Sequence, residues 1–179
     1  MDLPAGTQGR EREIVDLFRA VFTASEGAAE GALIGDIARN LLDGTPGEDL
    51  FVFTAAEDGA IVGAIIFSRL SYEGDGRDVF VLGPVAVATD RQGQGIGQRL
   101  IAHGLAALRA AGVDIAITYG DPNYYGKLGF APITEDLAPA PFKLKQPHGW
   151  LGQSLSGGGM PALEGPCRCV AALDDPAFW

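Results

Sequence analysis

A glycine-rich turn past the middle of the chain is the segment whose residue types suggest chemistry most directly. The apolar run of residues 85–89 leads into residues 90–95, where Gly93 and Gly95 stand close together, and an amphipathic pattern starts at Ile96. A helix that begins at such a turn leaves its first N–H groups without carbonyl partners, and its dipole adds partial positive charge there. Glycines also remove the side chains that would keep a ligand at a distance. The order strand, turn and helix therefore predicts an anion site, for which a phosphate group is a natural occupant.

The spacing of the glycines disfavours two common nucleotide-binding motifs. A P-loop ends in Gly-Lys-Ser/Thr, whereas Gly97 is followed by Gln98, so the lysine and the magnesium-binding hydroxyl are both missing. A dinucleotide fingerprint has the form Gly-x-Gly-x-x-Gly, and counting from Gly93 places Gln98 at its third glycine. Nucleotide hydrolysis and dinucleotide binding are thus disfavoured, and a purely structural strand-to-helix turn stays open as an alternative.

Two separate segments resemble motifs of one enzyme family. Residues 92–97, Gln-Gly-Gln-Gly-Ile-Gly, resemble the Gln/Arg-x-x-Gly-x-Gly/Ala signature of the GCN5-related N-acetyltransferase (GNAT) family. Residues 121–130, Asp-Pro-Asn-Tyr-Tyr-Gly-Lys-Leu-Gly-Phe, resemble the Tyr-x-x-x-Gly-Phe segment of the same family, in the expected order and at the expected separation. The sequence Gly-Asp-Pro-x-Tyr-Tyr of residues 120–125 looks most like the bacterial YhbS-like branch, and the resemblance covers roughly residues 10–135.

The resemblance implies transfer of an acetyl group from acetyl-coenzyme A (acetyl-CoA), as co-substrate, to a primary amine. The amides of residues 92–97 would hold the coenzyme pyrophosphate. The main-chain N–H of Val87 would stabilise charge on the thioester oxygen, an interaction typically worth ~3–4 kcal/mol. Tyr125 would protonate the leaving thiolate or donate a hydrogen bond to it. The implied coenzyme contacts are Val85, Ala86, Val87, Gln92, Gly93, Gln94, Gly95, Ile96, Gly97, Gln98, Asn123 and Tyr125.

The sequence leaves parts of the mechanism open. Adjacent helical residues face different directions, so only one of Tyr124 and Tyr125 should reach the sulfur, and Tyr125 is the predicted one. The family often has an asparagine about seven residues before the tyrosine, where this chain has Thr118, so the coenzyme contacts of residues 118–123 are in doubt. Residues 79–83 of the central strand include no acidic residue to serve as base, and Asp78 and Asp90 lie at its ends. The candidates for the base are a water chain, Glu73, Asp121 and His148.

Two other functions fit the same motifs. The domain could bind acyl-CoA without catalysis, as a sensor or interaction module, although such a binder has no need of an acid at Tyr125. It could also use another acyl donor, such as succinyl-CoA. The acceptor cannot be read from the segments expected to line its pocket, residues 23–35, 69–77 and 135–160. A homodimer is plausible by resemblance.

Composition excludes several other classes. The 179 residues carry a formal net charge of −10, with 23 acidic and 13 basic residues, so a nucleic-acid backbone would be repelled. No apolar stretch is long enough to predict a membrane span, and the first residues do not predict a secretory signal. Cys167 and Cys169 alternate on a predicted strand and are expected to be free thiols; with only two histidines, no metal site is predicted. These features favour a cytoplasmic protein.

Hydrophobic periodicity and turn residues predict an α/β chain. The predicted helices are residues 10–23, 29–43 and 95–111, with a short helix that carries Tyr124 and Tyr125 and stops at Gly129. The predicted strands are residues 49–57, 60–70, 78–88, 113–119, 130–134 and 165–173, and residues 135–164 are an irregular stretch with one strand and a mobile loop. Gly83-Pro84 predicts a bulge that parts its strand from a neighbour. We expect one domain over residues 1–179, a GNAT-like three-layer sandwich with a mixed, mostly antiparallel central sheet splayed at the acyl-CoA site.

Overall fold

Two amphipathic helices follow a short N-terminal segment in the computed structural model, which describes residues 1–179. Helix α1 (Glu11–Glu26) buries Ile14, Phe18 and Val21 on one face, as the helical spacing of these residues predicts. Helix α2 (Ala28–Gly44) buries glycines as well as Ile37 and Leu41. Both helices match the predicted ones, with α1 three residues longer at its end.

Seven strands and two further helices complete the fold. The strands are β1 (Leu50–Glu57), β2 (Ala60–Tyr72), β3 (Val79–Val87), β4 (Ile115–Tyr119), β5 (Ala131–Pro132), β6 (Trp150–Ser154) and β7 (Cys167–Arg168). Helix α3 (Ile96–Ala110) follows β3, and the four-residue helix α4 (Pro122–Tyr125) follows β4. The strands are hydrogen-bonded in the order β1-β2-β3-β4-β6-β5, and β7 pairs with β2. The β3–β4 pair is parallel, whereas β2–β7, β4–β6 and β5–β6 are antiparallel. The predicted mixed, mostly antiparallel sheet is confirmed.

The chain forms two compact units, and β2, β3 and α3 contribute residues to both. The first unit comprises residues 1–67 and 83–104, and the second comprises residues 68–82 and 105–179. The glycine turn and the end of β3 belong to the first unit. The tyrosine segment belongs to the second.

Close helix packing characterises the first unit. A Cβ on Gly31 of α2 would overlap Thr23 Oγ1 of α1, so only glycine permits this approach. Gly104 of α3 similarly lies against the rings of Phe53 and Phe67, where a Cβ would meet Phe67 at 2.9 Å. The predicted Asp58-Gly59 turn joins β1 to β2 with φ values of 51° and 82°. These positive values are those that a tight two-residue hairpin turn requires.

In the second unit, the register of β3 and β4 ends where the sequence predicts an interruption. The parallel pairs run from Val79↔Ile115 to Leu82↔Thr118. Gly83 and Pro84 follow at once, joined by a cis peptide bond, and β3 itself continues to Val87. The hydroxyl of Thr118 donates to the carbonyl of Leu82 at 3.0 Å, which fixes the last pair of the register.

Three sequence predictions need correction. The closing strand predicted over residues 165–173 is only the two-residue β7, and residues 171–173 form a single 3₁₀ turn. The reason is the limited partner, because β7 pairs only with Ser71 and Tyr72 at the end of β2. The strand predicted over residues 130–134 shrinks to β5. Residues 1–9, in which no strand is predicted, do make isolated bridges from Asp2 and Ala5 to β1.

Candidate active site

The glycine turn has the backbone conformation that its sequence predicts. A 3₁₀ turn, Thr89–Arg91, leads into Gln92, and α3 then begins at Ile96. Gly93 and Gly95 have φ values of 76° and 77°, in the left-handed region that side chains with a Cβ disfavour. A Cβ on either glycine would meet no other atom, so the backbone conformation, not crowding, requires glycine here.

The main-chain N–H groups of this turn have no acceptors within the protein. None of the amides of residues 93–98 donates to a carbonyl or side-chain oxygen; the first to do so is Arg99, whose amide donates to Gly95 at 3.0 Å. The side chains of residues 92–95 are exposed, whereas Ile96 is buried and anchors the start of α3. The row of unpartnered amides at the positive end of a fifteen-residue helix is therefore open to an anion.

Two side chains beside the turn are engaged with the protein. The guanidinium of Arg91 forms a 2.7 Å ion pair with Glu57, the last residue of β1. The side-chain amide of Gln92 donates to the carbonyl of Val87 at 3.0 Å. These contacts hold the turn to the hairpin and to the end of β3. The side chains of Gln94 and Arg99 are exposed.

The predicted oxyanion segment lies at the end of β3. Ala86 is buried, and Val85 and Val87 are half-buried. The carbonyl of Val62 in β2 accepts the amide of Ala88, just beyond the strand. The carbonyl of Val87 accepts a hydrogen bond from the side-chain amide of Gln92. Residues 85–98 thus form one continuous strand, turn and helix in the first unit.

In the second unit, α4 starts where the sequence predicts but ends at Tyr125, and a 3₁₀ turn, Gly126–Leu128, continues the segment to the predicted stop at Gly129. Asp121 caps the helix, since its Oδ1 accepts the amide of Asn123 at 2.9 Å, and Pro122 occupies the first helical position. The chain turns out of the segment at Gly129, whose φ is 90°. Asn123 is exposed.

Tyr125 has a packed ring on this short helix. Its centroid lies 5.0 Å from that of Tyr124 and 5.9 Å from that of Phe130, both in edge-to-face geometry. Gly120, directly after β4, is the third neighbour of the ring, and a Cβ on this residue would lie 2.6 Å from Tyr125 Cε2. The ring is therefore fixed by three neighbours.

This environment keeps the Tyr125 phenol protonated. Burial, with the charges of Tyr124 and Asp121, raises the pKa of Tyr125 to about 12, and only hydrogen bonding with Thr118 acts in the opposite direction. Burial also raises the pKa of Tyr124. At neutral pH the Tyr125 hydroxyl is consequently a hydrogen-bond donor and carries no negative charge.

Thr118, at the position of the family's asparagine, is a core residue of β4. It is 1% exposed, and its hydroxyl donates a hydrogen bond to the carbonyl of Leu82. Its side chain acts to lower the pKa of Tyr125, so the two residues are near each other. That proximity is not evident in the sequence, since residues seven apart meet only because β4 and α4 fold back on each other.

The predicted base candidates and the acids at the ends of the central strand do not form one group. Asp78 is paired with Arg69 at 2.6 Å. Asp121 caps α4. Glu73, Asp90 and His148 are exposed, so none is singled out. No group of three or more His, Cys, Asp or Glu side chains is arranged to hold a metal ion. Both cysteines are free, with Cys167 buried and Cys169 partly exposed.

Sequence reasoning missed two features near Tyr125. The contact of Gly120 with the Tyr125 ring has no signal in a single sequence. Tyr119, which precedes Gly120, forms an aromatic cluster with Trp150 and Trp179, with ring centroids 6.0–6.4 Å apart. The wide separation of these residues in the chain hides this cluster.

Comparison with known proteins identifies the family. A family model described as an acetyltransferase (GNAT) domain matches residues 48–132. The N-acetyltransferase YjhQ of Escherichia coli K12, which carries the label uncharacterized, is 34% identical over 140 residues, spanning 75% of this chain and 77% of that protein. The chain therefore belongs to the GNAT acetyltransferase family.

Solved structures support this assignment. A GNAT family acetyltransferase from Brucella melitensis, in complex with acetyl-CoA, is 29% identical, with a TM-score of 0.74 over 97% of both chains. The Escherichia coli YhbS structure, at 21% identity and a TM-score of 0.75 over 97% of this chain, shows the same fold. YhbS itself is 31% identical over 74 residues, or 41% of this chain and 44% of that protein. No helix of the protein is both long and apolar enough to cross a membrane.

Proposed function

We propose that the chain is a single N-acetyltransferase domain over residues 1–179 that transfers an acetyl group from acetyl-CoA to a primary amine. The observation that carries the proposal is the row of unpartnered main-chain amides of residues 93–98 at the start of α3. A similar protein of 29% identity is in complex with acetyl-CoA, which supports the same ligand for this chain. The pyrophosphate of the coenzyme is the group that these amides would bind.

The reaction then divides between two segments of the chain. The amine nitrogen attacks the thioester carbon, and the N–H of Val87 donates to the oxygen on which charge develops. The carbon–sulfur bond breaks, and the thiolate leaves with Tyr125 as its hydrogen-bond donor. Water or one of the exposed acids removes the proton from the attacking nitrogen. The products are the N-acetylated amine and free coenzyme A.

The raised pKa of Tyr125 defines its part in this step. A phenol of pKa about 12 is a weaker acid than a thiol, whose pKa is ordinarily ~8.5. Complete proton transfer to the thiolate is therefore unfavourable at this site, and the hydrogen bond is the main contribution. Solvent completes the protonation after the thiolate has left.

A thermal-shift titration tests the coenzyme site first. Acetyl-CoA at ~100 times its dissociation constant should add ~2.7 kcal/mol to the free energy of unfolding, whereas ATP and NAD should give smaller shifts. Release of free thiol in the presence of a panel of amines then tests transfer. Absence of any shift at millimolar acetyl-CoA would contradict the proposal.

A non-catalytic acyl-CoA-binding module is the second candidate. The exposed, side-chain-independent anion site would serve such a module equally well. The fixed and protonated Tyr125 favours the enzyme, because a binding module has no use for a donor at the sulfur. Stabilisation by acetyl-CoA with no thiol release from any amine would favour the module. We also propose a cytoplasmic location; a homodimer is compatible with the family.

A further inference from the structure

A small cavity of about 200 Å³ lies in the second unit, and Gly120, which lies against the Tyr125 ring, is part of its lining. Its walls are Tyr119, Gly120, Lys145, Gln146, Gly149 and residues 177–179. Whole ligands occupy pockets of roughly 300–1,000 Å³, so this cavity suits one end of a small molecule.

Most polar groups around the cavity are already paired within the protein. The indole N–H groups of Trp150 and Trp179 donate to the carbonyls of Ala138 and Leu173. The amides of Gly120 and Gly149 donate to main-chain carbonyls. The aromatic residues therefore present ring surface, and these four donors are not available to a ligand.

The groups that remain are mainly donors. The phenol oxygen of Tyr119 accepts a hydrogen bond from the main-chain N–H of Gln146 at 2.7 Å. The hydroxyl hydrogen of Tyr119 therefore stays free to donate. The Lys145 ammonium donates to the carbonyl of Ala177 at 2.9 Å and has two further hydrogens. The side-chain amide of Gln146 has no partner in the protein. Because Lys145 and Gln146 are consecutive, these donors share one wall.

The cavity lining contains one charged side chain, that of Lys145. Its ammonium donates to a main-chain carbonyl, and no ion pair joins it to an Asp or Glu side chain. One positive charge with adjacent neutral donors matches one carboxylate, whereas a phosphate dianion would be only half neutralised.

We propose that this cavity binds a carboxylate of the acceptor, so that the substrate is an amine that also carries a carboxylate, such as an amino acid. The proposal rests on the proposed acetyltransferase function. Gly120 lines the cavity and also lies against the Tyr125 ring. An acceptor bound in the cavity is therefore separated by one residue from Tyr125, the proposed hydrogen-bond donor to the coenzyme sulfur. The short reach from cavity to ring suits a small molecule with its two charged groups close together.

A binding experiment tests the cavity without any turnover. The chain has two tryptophans, Trp150 and Trp179, and both lie in the aromatic cluster beside the cavity, so intrinsic fluorescence reports on this place. Leucine with leucinamide, and phenylalanine with phenylalaninamide, form probe pairs in which a neutral amide replaces the carboxylate, compared at a pH at which the amines of both members are protonated. We expect the acid of at least one pair to bind at least tenfold more tightly. Equal affinities in both pairs, or no fluorescence response to any probe, would overturn the proposal.

Variants assign the preference to particular side chains. Lys145→Met should reduce the ratio of acid to amide affinity to near one, and Tyr119→Phe should reduce it by a smaller factor. Lys143→Met, which removes an exposed lysine outside the cavity lining, is the matched control and should leave the ratio unchanged. An unchanged ratio in Lys145→Met, or the same loss in Lys143→Met, would contradict the assignment.

Turnover separates this inference from the proposed function. The wild-type ratio of kcat/KM for acid over amide should follow the ratio of affinities, and Lys145→Met should abolish it. Acetylation of leucinamide at least as fast as leucine would refute the carboxylate preference while leaving the acetyltransferase intact. Failure of the proposed function has another signature, namely no stabilisation by acetyl-CoA and no thiol release from any amine.

Discussion

The glycine turn of residues 92–97 and the tyrosine segment of residues 121–130 differ in which atoms they offer a ligand. The turn presents main-chain N–H groups, and its side chains are exposed or engaged with the protein. The tyrosine segment presents one phenol whose ring is fixed by Gly120, Tyr124 and Phe130. Substitutions should therefore act through backbone conformation in the turn and through side-chain chemistry and packing in the tyrosine segment.

The largest expected effect comes from removing one oxygen atom. Tyr125→Phe should lower kcat by about 10²–10³-fold, the range for loss of one positioned hydrogen-bond donor to developing charge, and leave the acetyl-CoA dissociation constant within threefold. Steady-state thiol release and a coenzyme titration measure the two quantities. Tyr124→Phe, on the neighbouring ring, is the control and should keep most of kcat. Equal losses in both variants would remove Tyr125 from the mechanism.

The turn should respond to backbone conformation instead. Gly95→Val places a β-branched residue at a φ of 77°, which costs about 1–3 kcal/mol if the turn keeps its shape. We expect acetyl-CoA to bind about 10–100-fold more weakly. Gln94→Ala, the adjacent exposed position, should change affinity by less than threefold. Isothermal calorimetry measures both, and a larger loss in Gln94→Ala would mean that side chains hold the coenzyme.

Gly120 tests packing around the tyrosine. Gly120→Ala would put a Cβ at 2.6 Å from Tyr125 Cε2, and such overpacking typically costs about 1–3 kcal/mol of stability. The displaced ring should also lower kcat, by about tenfold or less. Gly126→Ala has open space and a φ of −58°, so it should be neutral or slightly stabilising. Denaturant melts and kinetics on both variants give the comparison.

The smallest expected effect is a loss of folding stability at alkaline pH. The pKa of Tyr125 is raised to about 12 in the folded state from 10.0, so its stabilising contribution is complete below pH 10 and is lost between pH 10 and 12. Between pH 9 and pH 11, the free energy of unfolding of the wild type should therefore fall by about 1 kcal/mol relative to that of Tyr125→Phe. The contributions of the other titrating groups are the same in both proteins and cancel in this difference. Parallel denaturant melts at the two pH values measure it. An unchanged difference would mean that the phenol titrates normally.

The sequence was sufficient where structure is determined locally. The glycine turn and α4 are set by glycine conformation and by the Asp121 and Pro122 start signal, which depend on neighbouring residues alone. The helices and the hairpin at Asp58-Gly59 follow for the same reason. The site residues of the two segments stay predictions, and the structure shows only that each lies in a suitable local conformation.

The sequence was insufficient where a partner distant in the chain decides the outcome. Cys167 and Cys169 alternate like a strand, but the end of β2 offers partners only to Cys167 and Arg168. Gly120 is an ordinary loop glycine until α4 folds the Tyr125 ring against it. The cavity at Lys145 joins segments about thirty residues apart, and no periodic pattern marks it.

The ion pair between Arg91 and Glu57 has a consequence for binding kinetics. Because Glu57 pairs with Arg91, Arg91 adds little net charge beside the turn, and the attraction of the amide dipoles falls off with distance faster than that of a charge. An anionic coenzyme approaching a chain of net charge −10 gains little long-range steering from it. Coenzyme association should accordingly be slow and rise with ionic strength, and differences in affinity among coenzyme analogues should arise in their dissociation rates.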